Sequence, residues 1–393
     1  MSSGKKFGVF VAVVALLGGV AYGFGVWPFA GEEKRTPIEI SRPTDEIPKE
    51  EAALPSGPVS PITGLPCDNW NRRPIAVMQP VDKQARPVAG FSQADMVFEM
   101  PNPAEGVFVT RFMGVYLCSI PEEIGAMRST RHDYISIASG LDAIYVGVGG
   151  SAFSLKKLRD GVIDYIDCDG KGNHCCFHKE HTGLMRIEDD RFAKGQKLLE
   201  CSEELGYRKE SKFAGYQHRK DAALEERPMG GKLTVSYPGI MKAEYAYDRE
   251  SNSYLRTWGG DPDIDRNNRV RVAPKNIVVA IVENEQILNS VDYSDRPNDP
   301  WDGIDKKTGL GNISGRYNNL NMGDPWFDTK GEGEARYYMD GKEFRGTWKK
   351  DRGSIESKLF FYDASGKEVT FVPGQIWVDV VVPGLKVEWT PGA

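Results

Sequence analysis

LDAIYVGVGGSAFSLKKLRDGVIDYIDC, residues 141–168, decides the fold of the first half of the chain. The apolar run through Ile144 and Val146 ends in glycines and predicts a buried strand. Ser151 then opens a segment with Phe153, Leu155 and Leu158 at helical spacing, and IDYIDC reads as a second short strand. Working outward, PIAVMQP (74–80), ADMVFEMP (94–101) and VFVTRFMGVYL (107–117) predict strands, and residues 131–138 predict a helix before Gly140. EDDRFAKGQKLLECSEEL (188–205) predicts a further helix, with acidic residues in its first turn and Gly206 as its stop. Strands alternating with helices predict an α/β first domain with a mixed sheet over residues 58–210, in three layers.

The pattern changes after a polar, charged linker at 207–231. KLTVSYPG, MKAEYAYD, SYLRTWGG, RVRVAP and KNIVVAIVE alternate as antiparallel strands do. EARYYMDGKEFRGTWKK reads as a hairpin turning at Asp340-Gly341, and LFFYDASGKEVTFVPGQIWVDVVV repeats that logic at Ser365-Gly366. A mostly β second domain is expected over residues 230–390.

With 393 residues the chain can hold two domains with cores. Its 27% charged residues are ordinary, and a net charge of −6 argues against nucleic-acid binding by the body as a whole. Residues 7–29 (FGVFVAVVALLGGVAYGFGVWPF) carry no charge and are long enough to span a bilayer. Lys5 and Lys6 precede them, which orients the short N-terminus to the cytoplasm and the body outside. The reading taken is an N-terminal membrane anchor over 1–30; a cleaved signal peptide is the alternative. Residues 31–57 are polar and proline-containing, as an extended tether is. In that compartment the six cysteines default to disulfides; Cys67 with Cys118, and Cys168 with Cys175 or Cys176, are the pairings considered.

Arg86, Arg111, Arg128 and Arg131 form a row in a glycine-punctuated, strand-rich stretch. Arginine stays charged and presents a planar fork of donors to carboxylate or phosphate. Arg128 and Arg131, three apart, would share a face on a helical turn. Arg111 lies mid-strand among apolar neighbours, where its charge needs Glu99, Glu105 or a ligand. Gly149 and Gly150 before Ser151 would let backbone donors approach an anion, although their spacing fits no nucleotide fingerprint. The competing reading is an internal Arg–Glu network.

Other patterns carry less. NHCCFHKEH (173–181) has zinc-binding residue types in no standard spacing. Asp261, Asp263, Asp265 and Asn267, like Asp299, Asp302 and Asp305, alternate as calcium ligands do but lack the closing glutamate, and are read as solvated turns. For catalysis the candidates are Ser151 as nucleophile, His181 as base and Glu99 or Glu105 as acid. VGGSA is no nucleophile elbow, and a helix N-cap is the plainer role for Ser151.

PITGL (61–65), RPIAVM (73–78), ARP (85–87), TRFM (110–113), the span from Ile124-Gly125 to Arg131, and GGS (149–151) occur in an order that resembles the YerB-like family of bacterial cell-envelope lipoproteins. NIVV (276–279), GTWKK (346–350) and PGQIWV (373–378) extend the resemblance to about residues 58–383. It implies two domains with no established activity. Its members carry a lipidated cysteine where this chain has an apolar span, and a His-Asn pair whose counterpart here is His181-Thr182. The expectation is a single-pass membrane protein with its body on the extracytoplasmic side. It would bind an anionic envelope component (a glycan, a phosphodiester polymer or a peptide carboxylate) through Arg86, Glu105, Arg111, Arg128, Arg131, Ser151 and His181. No cofactor, metal or nucleic acid is implied. A hydrolase of envelope polymers and a purely structural protein are the alternatives.

Overall fold

The computed structural model describes residues 57–104, 107–168, 189–239, 241–286, 318–325 and 330–392. The expected anchor over 1–30, nearly all of the tether, Glu105, His181, the 173–181 stretch and the 299–305 loop lie outside the described residues. Among the described residues no helix is long and apolar enough to cross a membrane.

A ten-stranded mixed sheet forms the centre. Its strands are β1 (Ile75–Pro80), β2 (Met96–Ala104), β3 (Val107–Tyr116), β4 (Ile144–Gly147), β5 (Tyr165–Asp167), β6 (Asn276–Ile281), β7 (Glu332–Met339), β8 (Lys342–Lys349), β9 (Phe360–Asp363) and β10 (Ile376–Val381), in the order β9-β8-β7-β6-β10-β2-β3-β1-β4-β5. The two sequence segments meet along β2 and β10, which run parallel with Met96 opposite Ile376 and Glu99 opposite Asp379.

Parity along the strands makes two cores. Val97, Phe112, Tyr116 and Trp377 face one side, and Met96, Phe98, Met113, Val115 and Val378 face the other. The second side is covered by α1 (His132–Gly140) and α2 (Ala152–Arg159), where Tyr134, Ile135, Ile137 and Ala138 pack down. The first side is covered by a five-stranded antiparallel sheet and by α3 (Gly195–Glu204), through Leu198 and Cys201. That sheet comprises Gly231–Ser236, Lys242–Asp248, Ser253–Trp258, Asp261–Pro262 and Lys386–Pro391. A mostly β protein with few helices and a mixed sheet results.

The β7–β8 hairpin turns at Asp340-Gly341 as expected, with φ of 51° and 71°, the left-handed pair that a two-residue turn demands. Other expectations give way to tertiary pairing. The helix expected from Glu188 begins only at Gly195, because Phe192–Lys194 pairs instead as a strand with Glu123–Gly125. The helix therefore starts at Lys194 without a side-chain cap, and Asp189 and Asp190, ahead of it, are buried. RVRVAP is no strand; it holds one bridge, Arg271 to Ile264. The second expected hairpin does turn at Ser365-Gly366, with Tyr362 bridged to Glu368 and Val369 N donating to Phe361 O, but its far arm goes elsewhere. Thr370–Phe371 pairs with Gln217–His218, and β10, buried at every position, takes the sheet's centre.

Cys67 and Cys118 form a disulfide with Cα atoms 5.4 Å apart, and Cys168 and Cys201 are each disulfide-bonded, to partners outside the described residues. The first bridge closes a loop across 51 positions. On loop-closure entropy, replacing both Cys67 and Cys118 by alanine should cost about 2–4 kcal/mol in urea unfolding; a loss below about 1 kcal/mol would contradict this.

Candidate anion-binding site

The segment from Arg128 to Ser151 positions the site. Arg128 N donates to Met78 O (2.8 Å), and Val148 N donates to Arg128 O (3.1 Å). Thr130 N donates to Gly149 O (2.9 Å). Residues 128–130 are thus an extended wedge between the ends of β1 and β4, where these parallel neighbours part. Arg128 and Arg131 lie in that wedge rather than on a helical turn, and Arg131 is the residue before α1. Gly147 is needed there, since a Cβ would stand 2.6 Å from Thr130 Cγ2. Both α1 and α2 begin at this rim, at the carboxyl ends of β1 and β4, where open α/β sheets place their ligands.

Three of the four arginines reach this rim. Arg111, on β3 opposite Pro80, shares the α1 face with Met113, and Tyr134 Oη donates to its carbonyl at 2.6 Å. Its Nε and Nη1 are buried with no hydrogen-bond partner. Burial first, then the charges of Arg131 and Arg128, push this guanidinium down to about 9. It stays protonated at neutral pH, so its charge costs free energy that an anion would return. Arg128 is answered internally, by Asp82 at 2.7 Å and by the buried Asp189. Arg131 turns Nη1 onto the carbonyl oxygens of Thr130 (2.8 Å) and Ser129 (3.4 Å). Ser151 is buried and caps α2, accepting from Ser154 N at 3.3 Å. The plainer role for that serine is therefore the one the geometry gives it.

Arg86 does not join them. Its guanidinium lies between the two sheets, bonded to Asp263 and stacked 4.2 Å from the Trp258 ring centre. Beside it Arg256, wholly buried, bonds Asp263 and reaches Glu99 at 2.5 Å, with Trp377 4.4 Å from its centre. Glu99 also accepts from Thr110 Oγ1 at 2.7 Å. Glu99 is therefore no partner of Arg111: Thr110 and Phe112 face the second sheet, and Arg111 between them faces away.

Of the aspartates expected as a solvated turn, Asp261 is exposed as expected, whereas Asp263 and Asp265 are buried. Asp265 accepts from Gly90 N (3.1 Å), Ser92 N (2.8 Å) and Ser92 Oγ (2.9 Å). It clasps the loop after Arg86, and among the described residues no cluster suits a metal. Arg256 and Asp263 were missed as a lock because only the folded register brings them to Glu99. The buried Leu-Arg-Thr-Trp strand around Arg256 was the available signal, a charge inside an alternating apolar run.

Fold and paired segments together define a two-part class of protein without an assigned activity. The N-terminal domain model of the protein of unknown function DUF3048 matches residues 62–208, and its C-terminal domain model matches residues 233–378. The chain belongs to this YerB-like family. It is 26% identical over 337 residues to the YerB protein of Bacillus subtilis (strain 168), named as a lipoprotein, covering 82% of this chain and 86% of that one. The crystal structure of YerB from Bacillus subtilis shares the fold, with a TM-score of 0.66 at 22% identity over 85% of this chain and 99% of that chain.

Two outcomes test the interior network. Arg256→Ala leaves Glu99 and Asp263 buried without their cation and should cost about 3–5 kcal/mol in urea unfolding; a loss below about 1 kcal/mol would show the lock to be dispensable. The second is pH dependence. Burial pushes Asp379, Asp133 and Asp95 up to about 7, 7 and 6. Glu99's charge adds to the rise at Asp379. Raised carboxyls stabilise fully below their ordinary value near 4, and that stability is lost as pH rises through 6–7. Burial instead holds His132 down to about 3, so its contribution is lost as pH falls below its ordinary value near 6.5. Burial also holds His218 down and pushes Glu99 up; the raised carboxyls outnumber the lowered imidazoles, so stability should fall between pH 5 and pH 8, and Asp379→Asn should flatten the slope. A curve rising with pH would refute the assignment.

Proposed function

We propose that this protein binds an anionic component of the cell envelope, a glycan, a phosphodiester polymer or a peptide carboxylate, with Arg111 as the receiving charge. The observation that carries the reading is Arg111 itself. Its Nε and Nη1 are out of water without an acceptor, within reach of the charges of Arg128 and Arg131, at the rim where α1 and α2 begin. An unanswered buried charge destabilises a fold, and a ligand that pairs with it recovers that cost. Arg128 and Arg131 shape the rim, and Ser151 orders the start of α2.

The setting is the extracytoplasmic face of a membrane. The disulfides at Cys67–Cys118, Cys168 and Cys201 favour an oxidising compartment, and the lipoprotein in the relative's name supports tethering at a membrane. In this chain residues 7–29 would supply the anchor and residues 31–57 the tether, giving a single-pass protein. Glu105 and His181, expected at the same rim, belong to the proposal on sequence alone.

Arg111→Ala should weaken binding of anionic cell-wall polymer fragments by tenfold or more, the worth of a charge-assisted hydrogen bond of about 1.5–3 kcal/mol. The same variant should unfold at an unchanged or higher temperature, because it removes an unpaired charge. Unaltered polymer binding, or a marked fall in melting temperature, would make Arg111 a structural residue.

A further inference from the structure

The body begins on an apolar loop. Among the described residues the large apolar side chains open to solvent are Val59, Leu65, Trp70, Met229 and Val270. The first three stand together at the chain's entry, with Trp70 48% and Leu65 45% exposed. Val59 bridges to Pro66, where Cys67 N donates to Pro58 O (3.0 Å) and Ser60 N to Leu65 O (2.8 Å). Trp70 N donates to Cys67 O (3.3 Å), which folds that residue back beside the small ladder. The loop is held from behind. Its Cys67 is bridged to Cys118, just past the end of β3, Arg72 donates to Leu117 O, and Ser211 N donates to Asn71 O (2.6 Å). Pro58, Pro66 and Asn69, interspersed with the apolar side chains, are exposed as well.

Resting on the membrane-tethered setting proposed above, we infer that this loop docks the body on the lipid surface, with Val59, Leu65 and Trp70 entering the headgroup region. Tryptophan favours that boundary, where its ring leaves water and its N–H still finds an acceptor. Leu65 and Val59 add apolar area to the same contact. Three such side chains fall well short of the roughly 800 Å² per partner that a specific protein interface buries. They are also too few to recruit a free protein to a bilayer, but a tethered one needs no more. Residues 31–57 lead directly into Val59. As a tether they would hold the loop within a root-mean-square reach of about 30 Å of the anchor. Such confinement amounts to an effective concentration on the order of millimolar, at which a weak contact is populated. The stapled loop also has little freedom left to lose on docking. Charge does not select the surface. Lys209, beside the loop because Arg73 N donates to its carbonyl, pairs with Glu203 at 2.9 Å, and Arg208 pairs with Asp142 at 2.6 Å. Docking therefore depends on apolar burial and tolerates both zwitterionic lipid and salt.

Fluorine NMR of the full chain carrying 5-fluorotryptophan, one copy per nanodisc of phosphatidylcholine doped with a gadolinium-chelating headgroup lipid, tests this. Single occupancy keeps copies of the chain apart. Trp70→Phe assigns the Trp70 signal, and Trp27→Phe that of Trp27 in the expected anchor. Both signals should be broadened by the gadolinium lipid, at low and at high salt. The double substitution Val59→Ser with Leu65→Ser, at exposed positions, should cut the broadening of Trp70 by about half or more, as the apolar contact is lost. Trp27 should keep its broadening, and an unmoved signal from the buried Trp377 checks that the variant is folded. A broadened Trp27 with a sharp Trp70 overturns the docking while the anchor stands. So does a Trp70 signal that the double substitution leaves unchanged, or one that sharpens in salt. Sharp signals from both tryptophans overturn the tethered setting and this inference with it.

Discussion

The Arg256 guanidinium, closed in between two sheets, is the contact on which the rest of the molecule depends. It binds Glu99 on β2 and Asp263 beyond its own strand, and Asp263 in turn takes Arg86. Two cations and two carboxylates balance, with Trp258 and Trp377 stacked against the guanidiniums. Such a group contributes little net free energy over an apolar replacement, but it tolerates no partial assembly. Residues near 90, 256 and 379 must therefore reach their places together. Asp265 reinforces this by taking Gly90 and Ser92 amides. The parallel pairing of β2 with β10 then makes one sheet out of two sequence segments.

The same lock explains why the arginine row divides. Strand parity on β3 sends Thr110 and Phe112 toward the lock and Arg111 to the opposite face. Arg86, Arg128 and Arg111 each keep a buried donor unmet, but Arg86 pairs with Asp263 and Arg128 with Asp82 and Asp189, whereas among the described residues Arg111 pairs with no carboxylate. An internal network and an anion site were offered by the sequence as alternatives; the internal network lies on one face of the sheet, and Arg111, on which the proposed anion site depends, lies on the other.

Much of the fold was legible. The βαβ stretch from Leu141, the strands at 75–80 and 107–116, the Ser151 cap and the Asp340-Gly341 turn follow from local pattern, because apolar period and turn chemistry agree there. The failures share a cause. Phe192–Lys194, Thr370–Phe371 and β10 take partners far away in sequence, and local pattern names no partner. Asp263 and Asp265 looked like a polar turn because nothing nearby in sequence announces that Arg86, Arg256 and the Gly90 amide converge on them. Arg111 was legible as a charge in an apolar strand, though not the face it would take.

Nitrogen-15 NMR of the arginine Nε–Hε groups, recorded while dimethyl phosphate is added, tests the division of the row most directly. The Arg86 and Arg256 resonances are expected to exchange slowly with water and to stay in place, while Arg111 shifts saturably with the ligand. An immobile Arg111 resonance, or shifts at Arg86 and Arg256, would contradict the separation of an interior lock from an open anion site.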